Sequence, residues 1–137
     1  MPSTIVLEET FQVGEEKVLP GDSPQAPHGV VFEDDGDTGY FYALDFEGDD
    51  DYTIVDALNI YNAKSVVDKA KPSVLQIWWT DDGLKAALVI NNYPHAVFDF
   101  ETKQAYSRTN FPRPISTWVH QEWRDSALEP FDYESWS

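Results

Sequence analysis

The sequence predicts an α+β fold: a predominantly antiparallel β-sheet (meander plus hairpin) with one or two short helices on one face. Residues 74–108 alternate β-prone runs with turn sequences such as DDG and NYP, which is typical of a meander. Residues 29–46 hold two further β-prone runs joined by EDDGDT, which indicates a hairpin. With 137 residues and no internal repeat, the chain is expected to form a single domain, 1–137.

The N-terminal part of the chain has the weakest pattern. TIVL (4–7) and residues 16–19 predict two short strands. PGDSPQAPHG (20–29) predicts a loop, because its prolines and glycines interrupt regular structure. The segment 1–28 is therefore expected to be a loosely ordered N-terminal segment.

Strand patterns continue through the middle of the chain. In GYFYALDF (39–46) apolar side chains occupy both faces, which indicates a strand in the interior of a sheet. YTIVDALNIYN (52–62) is ambiguous between strand and helix, and its β-branched and aromatic residues favour a strand. The runs VLQIWWT, LKAALVIN, HAVFDF and AYSR then supply the strands of the meander.

Two segments predict the short helices. SVVDKAK (65–71) has Ser65 and Asp68 at the spacing of a capping box, and the following Pro72 would end a helix. STWVHQEWRDSAL (116–128) begins with a serine that is a candidate N-cap, and it carries a narrow apolar stripe at helical spacing.

Composition excludes several classes of function. The chain has 9 Lys and Arg against 25 Asp and Glu, a formal net charge of −16, which disfavours binding to nucleic acid or to anionic membranes. Cysteine is absent, which excludes disulfides and thiolate chemistry. The sequence begins without the features of a secretion signal, and its apolar runs are far shorter than the ~20 residues of a membrane helix. A cytoplasmic location is therefore expected.

Negative charge is concentrated in one part of the chain. Residues 33–52 carry nine acidic side chains and no basic one, and residues 18–63 contain no Lys or Arg. Solvated turns account for the positions of these acids, but less well for the missing counter-charges. Eight acids are candidates for a partner-binding surface: Glu33, Asp34, Asp35, Asp37, Glu47, Asp49, Asp50 and Asp51. The favoured function is an acidic protein-interaction domain, an immunity-type inhibitor that occludes a basic toxin or nuclease domain, with aromatic side chains as anchors.

Calcium binding is one alternative function. The loop 45–56 spaces carboxylates roughly as calcium ligands, at Asp45, Glu47, Asp49, Asp51 and Asp56. The match is poor, because an aspartate stands where an EF-hand requires glycine and the flanking segments are predicted strands, not helices.

A small ligand-binding domain or enzyme is the other alternative. His95 and Asp99 would share one face of a strand and could form a general-base pair. A histidine at a turn more often hydrogen-bonds to backbone, and the sequence contains no nucleophile elbow, phosphate loop or metal-binding histidine pattern. Binding is therefore favoured over catalysis, and no cofactor is expected.

Three stretches carry a resemblance to a known family: GVVFEDDGDTGYFYALD (29–45), DALNIYN (56–62) and NNYPHAVFDF (91–100). They resemble an uncharacterised bacterial family, domain of unknown function 2251, from about Gly29 to the predicted C-terminal helix. The resemblance implies a small bacterial protein with no established activity and no catalytic residue to carry over. It also implies that the DDGDTGY hairpin belongs to the fold, so that Asp34, Asp35 and Asp37 would cap or pin this hairpin.

Overall fold

The computed structural model is built from two β-sheets that pack face to face as a sandwich. Residues from both sheets contribute to one apolar core. The structure describes the residues 3–25, 27–46, 52–66, 71–108 and 118–131. The predicted antiparallel sheet is confirmed, with its strands divided between two sheets.

Ten strands occur among the described residues: β1 (Ser3–Phe11), β2 (Lys17–Asp22), β3 (His28–Asp34), β4 (Thr38–Phe46), β5 (Tyr52–Asn62), β6 (Ser73–Thr80), β7 (Lys85–Ile90), β8 (Tyr93–Asp99), β9 (Gln104–Ser107) and β10 (Val119–Glu122). One sheet has six strands in the order β1-β6-β7-β8-β9-β10, and the other has four in the order β2-β3-β4-β5. All pairs are antiparallel except β9 with β10. The chain therefore changes sheet between β1 and β2, and again between β5 and β6.

The predicted strands are confirmed, and β5 has the predicted bounds. β1 and β2 extend beyond the runs 4–7 and 16–19, so the loop predicted for 20–29 is shorter than expected. β4 is an interior strand, as its two apolar faces predict. Its Phe41 stacks on Phe98 of the opposite sheet with ring centroids 4.9 Å apart. This contact lies in the centre of the sandwich.

The helix predicted for 116–128 is wrong. Val119–Glu122 form β10, which pairs in parallel with β9, and Asp125–Phe131 form a 3₁₀ helix. The narrow apolar stripe gave a helix little surface to bury, whereas a strand obtains its backbone hydrogen bonds from β9. The 3₁₀ helix packs on the outer face of the six-stranded sheet, where Phe131 is buried against Ala87 and Val97.

The helix predicted for 65–71 is also not confirmed. A single 3₁₀ turn occupies Ala63–Ser65, and the preceding Asn62 gives it no side-chain cap. Asp68 lies outside the described residues, so the predicted capping box is not tested. No helix among the described ranges is both long enough and apolar enough to cross a lipid bilayer.

Candidate functional site

The four-stranded sheet coincides closely with the part of the sequence that lacks Lys and Arg. Its strands run from Lys17 to Asn62, and the interval without Lys or Arg is 18–63. Lys17, at the first position of β2, is therefore the one Lys or Arg in these four strands. The scarcity of Lys and Arg is thus a property of one layer of the sandwich.

An apolar groove of about 500 Å³ lies on the outer face of this sheet. It crosses all four strands, and its lining residues are Val18, Pro20, Asp22, Val31, Glu33, Tyr42, Leu44, Phe46, Tyr52 and Ile54. Three large apolar side chains of this face are unusually exposed: Val18 by 60%, Tyr52 by 59% and Ile54 by 43%. Exposed apolar side chains gathered in one groove are typical of a binding surface.

Asp34 is a structural residue and does not belong to an exposed acidic surface. It is 1% exposed, and its carboxylate accepts hydrogen bonds from Gly14 N at 2.8 Å, Gly36 N at 2.8 Å and the Tyr61 hydroxyl at 2.6 Å. These three donors belong to the β1–β2 connection, the β3–β4 turn and β5. Asp34 therefore ties three segments together, and its buried side chain is not part of the exposed surface of the protein.

The ring of Tyr61 is held in place by a glycine on the neighbouring strand. A Cβ atom at Gly39 would lie 2.6 Å from Cζ of Tyr61, so only glycine allows the ring to lie against β4. Burial and the hydrogen bond to Asp34 raise the pKa of Tyr61 far above its ordinary value. The phenol therefore stays protonated and remains a donor to Asp34.

Asp35 and Asp37 lie at the exposed turn of the β3–β4 hairpin. The Asp35 carboxylate accepts hydrogen bonds from the backbone N–H groups of Asp37 and Thr38, both at 2.9 Å, and these bonds lower the pKa of Asp35. Gly36, between them, has a φ of 100°, a conformation that favours glycine. The family resemblance implies that these aspartates cap or pin the hairpin, and Asp34 and Asp35 do so through their hydrogen bonds to backbone N–H groups. The carboxylates of Asp35 and Asp37 are also exposed to solvent.

Glu33 belongs to the groove itself. Its carboxylate accepts a hydrogen bond from the Tyr42 hydroxyl at 3.1 Å, and Tyr42 stacks on Tyr40 with centroids 5.8 Å apart. Burial, followed by the hydrogen bond to Glu33, raises the pKa of Tyr42 to about 12. Asp22, on β2, is a second acid in the lining and is exposed. The groove therefore presents two carboxylates within an apolar surface.

The other four predicted site residues, Glu47, Asp49, Asp50 and Asp51, lie outside the described residues. The chain reaches this segment from Phe46 and leaves it at Tyr52, and both of these residues line the groove.

Two histidine–aspartate pairs were not predicted from the sequence. Nδ1 of His28 lies 2.6 Å from the Asp45 carboxylate, and the imidazole stacks on Phe100 with centroids 4.5 Å apart. Nε2 of His120, on β10, lies 2.8 and 3.0 Å from the two oxygens of Asp56, on β5. Asp56 is fully buried, and this burial raises its pKa, while the contact with His120 acts in the opposite direction.

These pairs account for two of the five carboxylates considered as calcium ligands. Asp45 and Asp56 each contact a histidine, and the other three lie in the segment 47–51. Within the described ranges, no group of three or more His, Cys, Asp or Glu side chains is placed to hold a metal ion.

Comparison with known proteins places these features in a family. The bacterial family described as "Uncharacterized protein conserved in bacteria (DUF2251)" matches residues 11–132. The chain belongs to this family. The match starts before Gly29 and so includes β2 and the Asp34 contact with Gly14, and the family resemblance seen in the sequence is confirmed. An uncharacterized protein of Haemophilus influenzae is 40% identical over 121 residues, which cover 86% of this chain and 74% of that protein. No solved structure matches the chain.

In this family member, His95 and Asp99 line different cavities. Leu88 pairs with Ala96 and Val89 with Pro94, so His95 is the extra residue of a β-bulge in β8. The bulge disrupts the regular alternation of faces that the predicted His95–Asp99 pair requires. His95 lines a cavity at one end of the sandwich, whereas the Asp99 carboxylate accepts hydrogen bonds from the next turn, at Glu101 N and Thr102 N.

The stability of the protein is expected to fall in weak acid because of His95. Burial, followed by the nearby positive charge of Arg108, lowers its pKa from 6.5 to about 4. As the pH falls, the His95 imidazole is therefore protonated near pH 6.5 in the unfolded chain but only near pH 4 in the folded protein. The contribution of His95 to the free energy of unfolding is fully present above pH 6.5, and it falls by up to about 3 kcal/mol as the pH is lowered towards 4. Urea denaturation of wild type and His95→Gln across this range should give a difference that changes with pH, and parallel profiles would contradict the assignment.

Proposed function

We propose that this chain is a protein-binding domain that docks a basic protein on the outer face of its four-stranded sheet. The observation that supports this proposal most strongly is the position of the groove. Every lining residue comes from the interval 18–63, which contains no Lys or Arg. Apolar contact area and negative charge are thus provided by the same layer of the protein, which suits a partner with apolar side chains surrounded by Lys and Arg.

The apolar residues and the acids have different roles in this proposal. Val18, Tyr52 and Ile54 are exposed and would supply the affinity by losing contact with water. The exposed acids Asp22 and Asp37 would act before contact, because a negative field raises the rate of encounter with a basic surface. Glu33 lies in the groove and would accept a hydrogen bond from a partner cation that stacks on Tyr40 or Tyr42.

The revised acidic surface differs from the predicted one at two positions. It retains Glu33, Asp35, Asp37 and the segment residues Glu47, Asp49, Asp50 and Asp51, it loses Asp34 because this residue is buried, and it gains Asp22. The acids of 47–51 remain in the proposal because the residues on either side of them in the sequence, Phe46 and Tyr52, line the groove.

A protein that itself binds polyanions is the class of partner that fits best. The active surface of a nuclease or of a nucleic-acid-binding toxin must carry Lys and Arg to hold phosphates. An acidic sheet face that covers such a surface would exclude the nucleic acid, which is the action of an immunity-type inhibitor. We therefore propose inhibition by occlusion as the form that this binding takes.

Charge reversal on the proposed surface is expected to slow association at low salt. The partner is first retained from a bacterial lysate at low salt and released by about 0.5 M salt, which screens exposed charge pairs. The double variant Asp22→Lys, Asp37→Lys should then associate at least about tenfold more slowly at low salt, and its rate should approach that of wild type in high salt. Surface plasmon resonance measures both rates.

The double variant Glu122→Lys, Glu129→Lys is a matched control, because it makes the same change in net charge away from the groove. Both residues are exposed, Glu122 in β10 and Glu129 in the 3₁₀ helix. Equal slowing by both double variants would mean that only net charge matters, and this would overturn the docking site. Ile54→Asp adds a test of the groove, because it should mainly raise the dissociation rate. An unchanged dissociation rate in this variant would exclude the groove as the contact surface.

A further inference from the structure

A second cavity, separate from the groove, lies at one end of the sandwich. Its volume is about 560 Å³, within the range of about 300–1,000 Å³ that is usual for small-molecule sites. Apolar side chains from three parts of the fold line it: Val13 between β1 and β2, Val66 after β5, and Ile90 at the end of β7. It shares no described lining residue with the groove.

The charge of this cavity differs from that of the protein as a whole. The chain has 25 acidic residues, yet the described lining contains no acid and one cation, Lys71. None of the salt bridges among the described residues uses Lys71. Because the described lining has a lysine and no carboxylate, an anion in this cavity would meet a positive charge and no negative charge from the lining. The cavity is therefore suited to an anion.

Most other polar groups of the lining already have partners. The Tyr61 hydroxyl donates to Asp34, and Asn91 donates to Ser73 Oγ at 3.2 Å while its side-chain oxygen accepts from Val74 N at 2.9 Å. These bonds fix the wall of the cavity and leave fewer groups for a ligand.

The remaining polar groups of the described lining are the Tyr93 hydroxyl and His95, and His95 is the more buried of the two residues. It is partly buried, its ring meets Tyr93 edge-on with centroids 5.3 Å apart, and its ring nitrogens make no hydrogen bond to another described residue. Burial and Arg108 hold its pKa at about 4, so at neutral pH the imidazole carries no charge and offers one donor and one acceptor. Lys71 and His95 together therefore supply one positive charge and one neutral hydrogen-bonding group.

We propose that this cavity binds a small monocarboxylate with an apolar body, with the carboxylate at Lys71 and His95 and the body against Val13, Val66 and Ile90. Lys71, the one cation of the described lining, matches the single charge of a monocarboxylate, whereas the second charge of a dianion such as a phosphate monoester would have no cation in this lining. The apolar lining excludes small hydrophilic acids, because they would leave this surface without contacts. The proposal is independent of the docking of a basic protein, and either can fail without the other.

Titration of the full chain with 3-phenylpropanoate and hexanoate tests the proposal. Isothermal calorimetry should show saturable binding of the acids, and hexylamine and hexan-1-ol should bind at least tenfold more weakly. Lys71→Met, which keeps the stem and removes the charge, should weaken acid binding by about tenfold or more, as expected for a lost charge-assisted hydrogen bond. Lys64→Met makes the same charge change at an exposed residue that does not line the cavity, and it should bind as wild type does.

Amide chemical-shift changes in the same titration locate the ligand. Changes centred on Val13, Ile90 and His95 would support the site, and changes centred on Val18 and Ile54 would overturn it by placing the ligand in the groove. Absence of saturable binding, equal binding of the amine, or equal loss in Lys64→Met and Lys71→Met would overturn it as well.

Discussion

Replacement of Asp34 by alanine is expected to lower the free energy of unfolding by about 3–5 kcal/mol. The carboxylate is 1% exposed and accepts hydrogen bonds from Gly14 N, Gly36 N and the Tyr61 hydroxyl. Alanine would leave all three donors without their acceptor at once and leave a void where the carboxylate lies. Since domains of this size are stable by about 5–15 kcal/mol, a loss of this size approaches unfolding.

Urea denaturation followed by tryptophan fluorescence measures this loss. Asp37→Ala is the control, because this neighbouring carboxylate is exposed, and it should change stability by less than about 0.5 kcal/mol. Tyr61→Phe removes one of the three donors and should cost about 1–2 kcal/mol. A loss below about 1 kcal/mol in Asp34→Ala would show that Asp34 does not hold the three segments together.

The position of Asp34 also bears on how the acidic surface is tested. A variant that neutralises every acid of the hairpin would remove Asp34 together with Asp35 and Asp37, and it would weaken partner binding by unfolding the protein. Asp22 and Asp37 avoid this problem, because their side chains are exposed. Steering and stability can therefore be measured in separate variants.

Most of the strands could be predicted because each carries a local signal. YTIVDALNIYN gives β5 through its β-branched and aromatic content, and the turn sequences of 74–108 separate β6 to β9. The error at 116–128 has a different origin, since the pairing of β10 with β9 is a contact between distant residues. A weak helical stripe was overridden by this pairing, as often happens when propensity and tertiary contacts disagree. The division of the strands into two sheets depends on the same kind of contact.

Of the candidate site, the sequence predicted the negative charge but not the burial and contacts of the individual side chains. The interval without Lys or Arg could be read directly from the sequence, and it contains every described residue of the four-stranded sheet except Lys17. The sequence did not show which of the neighbouring acids would be buried. Asp34 and Asp35 are adjacent, yet Asp34 is buried and Asp35 is exposed. The bulge at His95 was equally hidden, and it is the reason that a pair predicted from regular alternation is not formed.

The Asp56–His120 pair is expected to be the second contact whose loss is severe. It joins β5 of one sheet to β10 of the other, and the carboxylate is fully buried and lies within 3.0 Å of Nε2 through both of its oxygens. Burial raises the pKa of Asp56, so its charged form depends on the histidine for compensation. His120→Ala should therefore cost about 3–5 kcal/mol, because it leaves a buried carboxylate without this partner.

A double-mutant cycle separates this interaction from the packing of the two side chains. Asp56→Ala and His120→Ala should each destabilise the protein, and the double variant should lose little more than His120→Ala alone, which gives a coupling energy of about 2–3 kcal/mol. The pair at His28 and Asp45 serves as the comparison, because both of its side chains are partly exposed and its coupling should stay nearer 1 kcal/mol. Additive losses at Asp56 and His120 would mean that the two side chains act only by filling space. Strong coupling would instead make this contact a clamp that holds the short strand β10, and with it one edge of the six-stranded sheet, against β5.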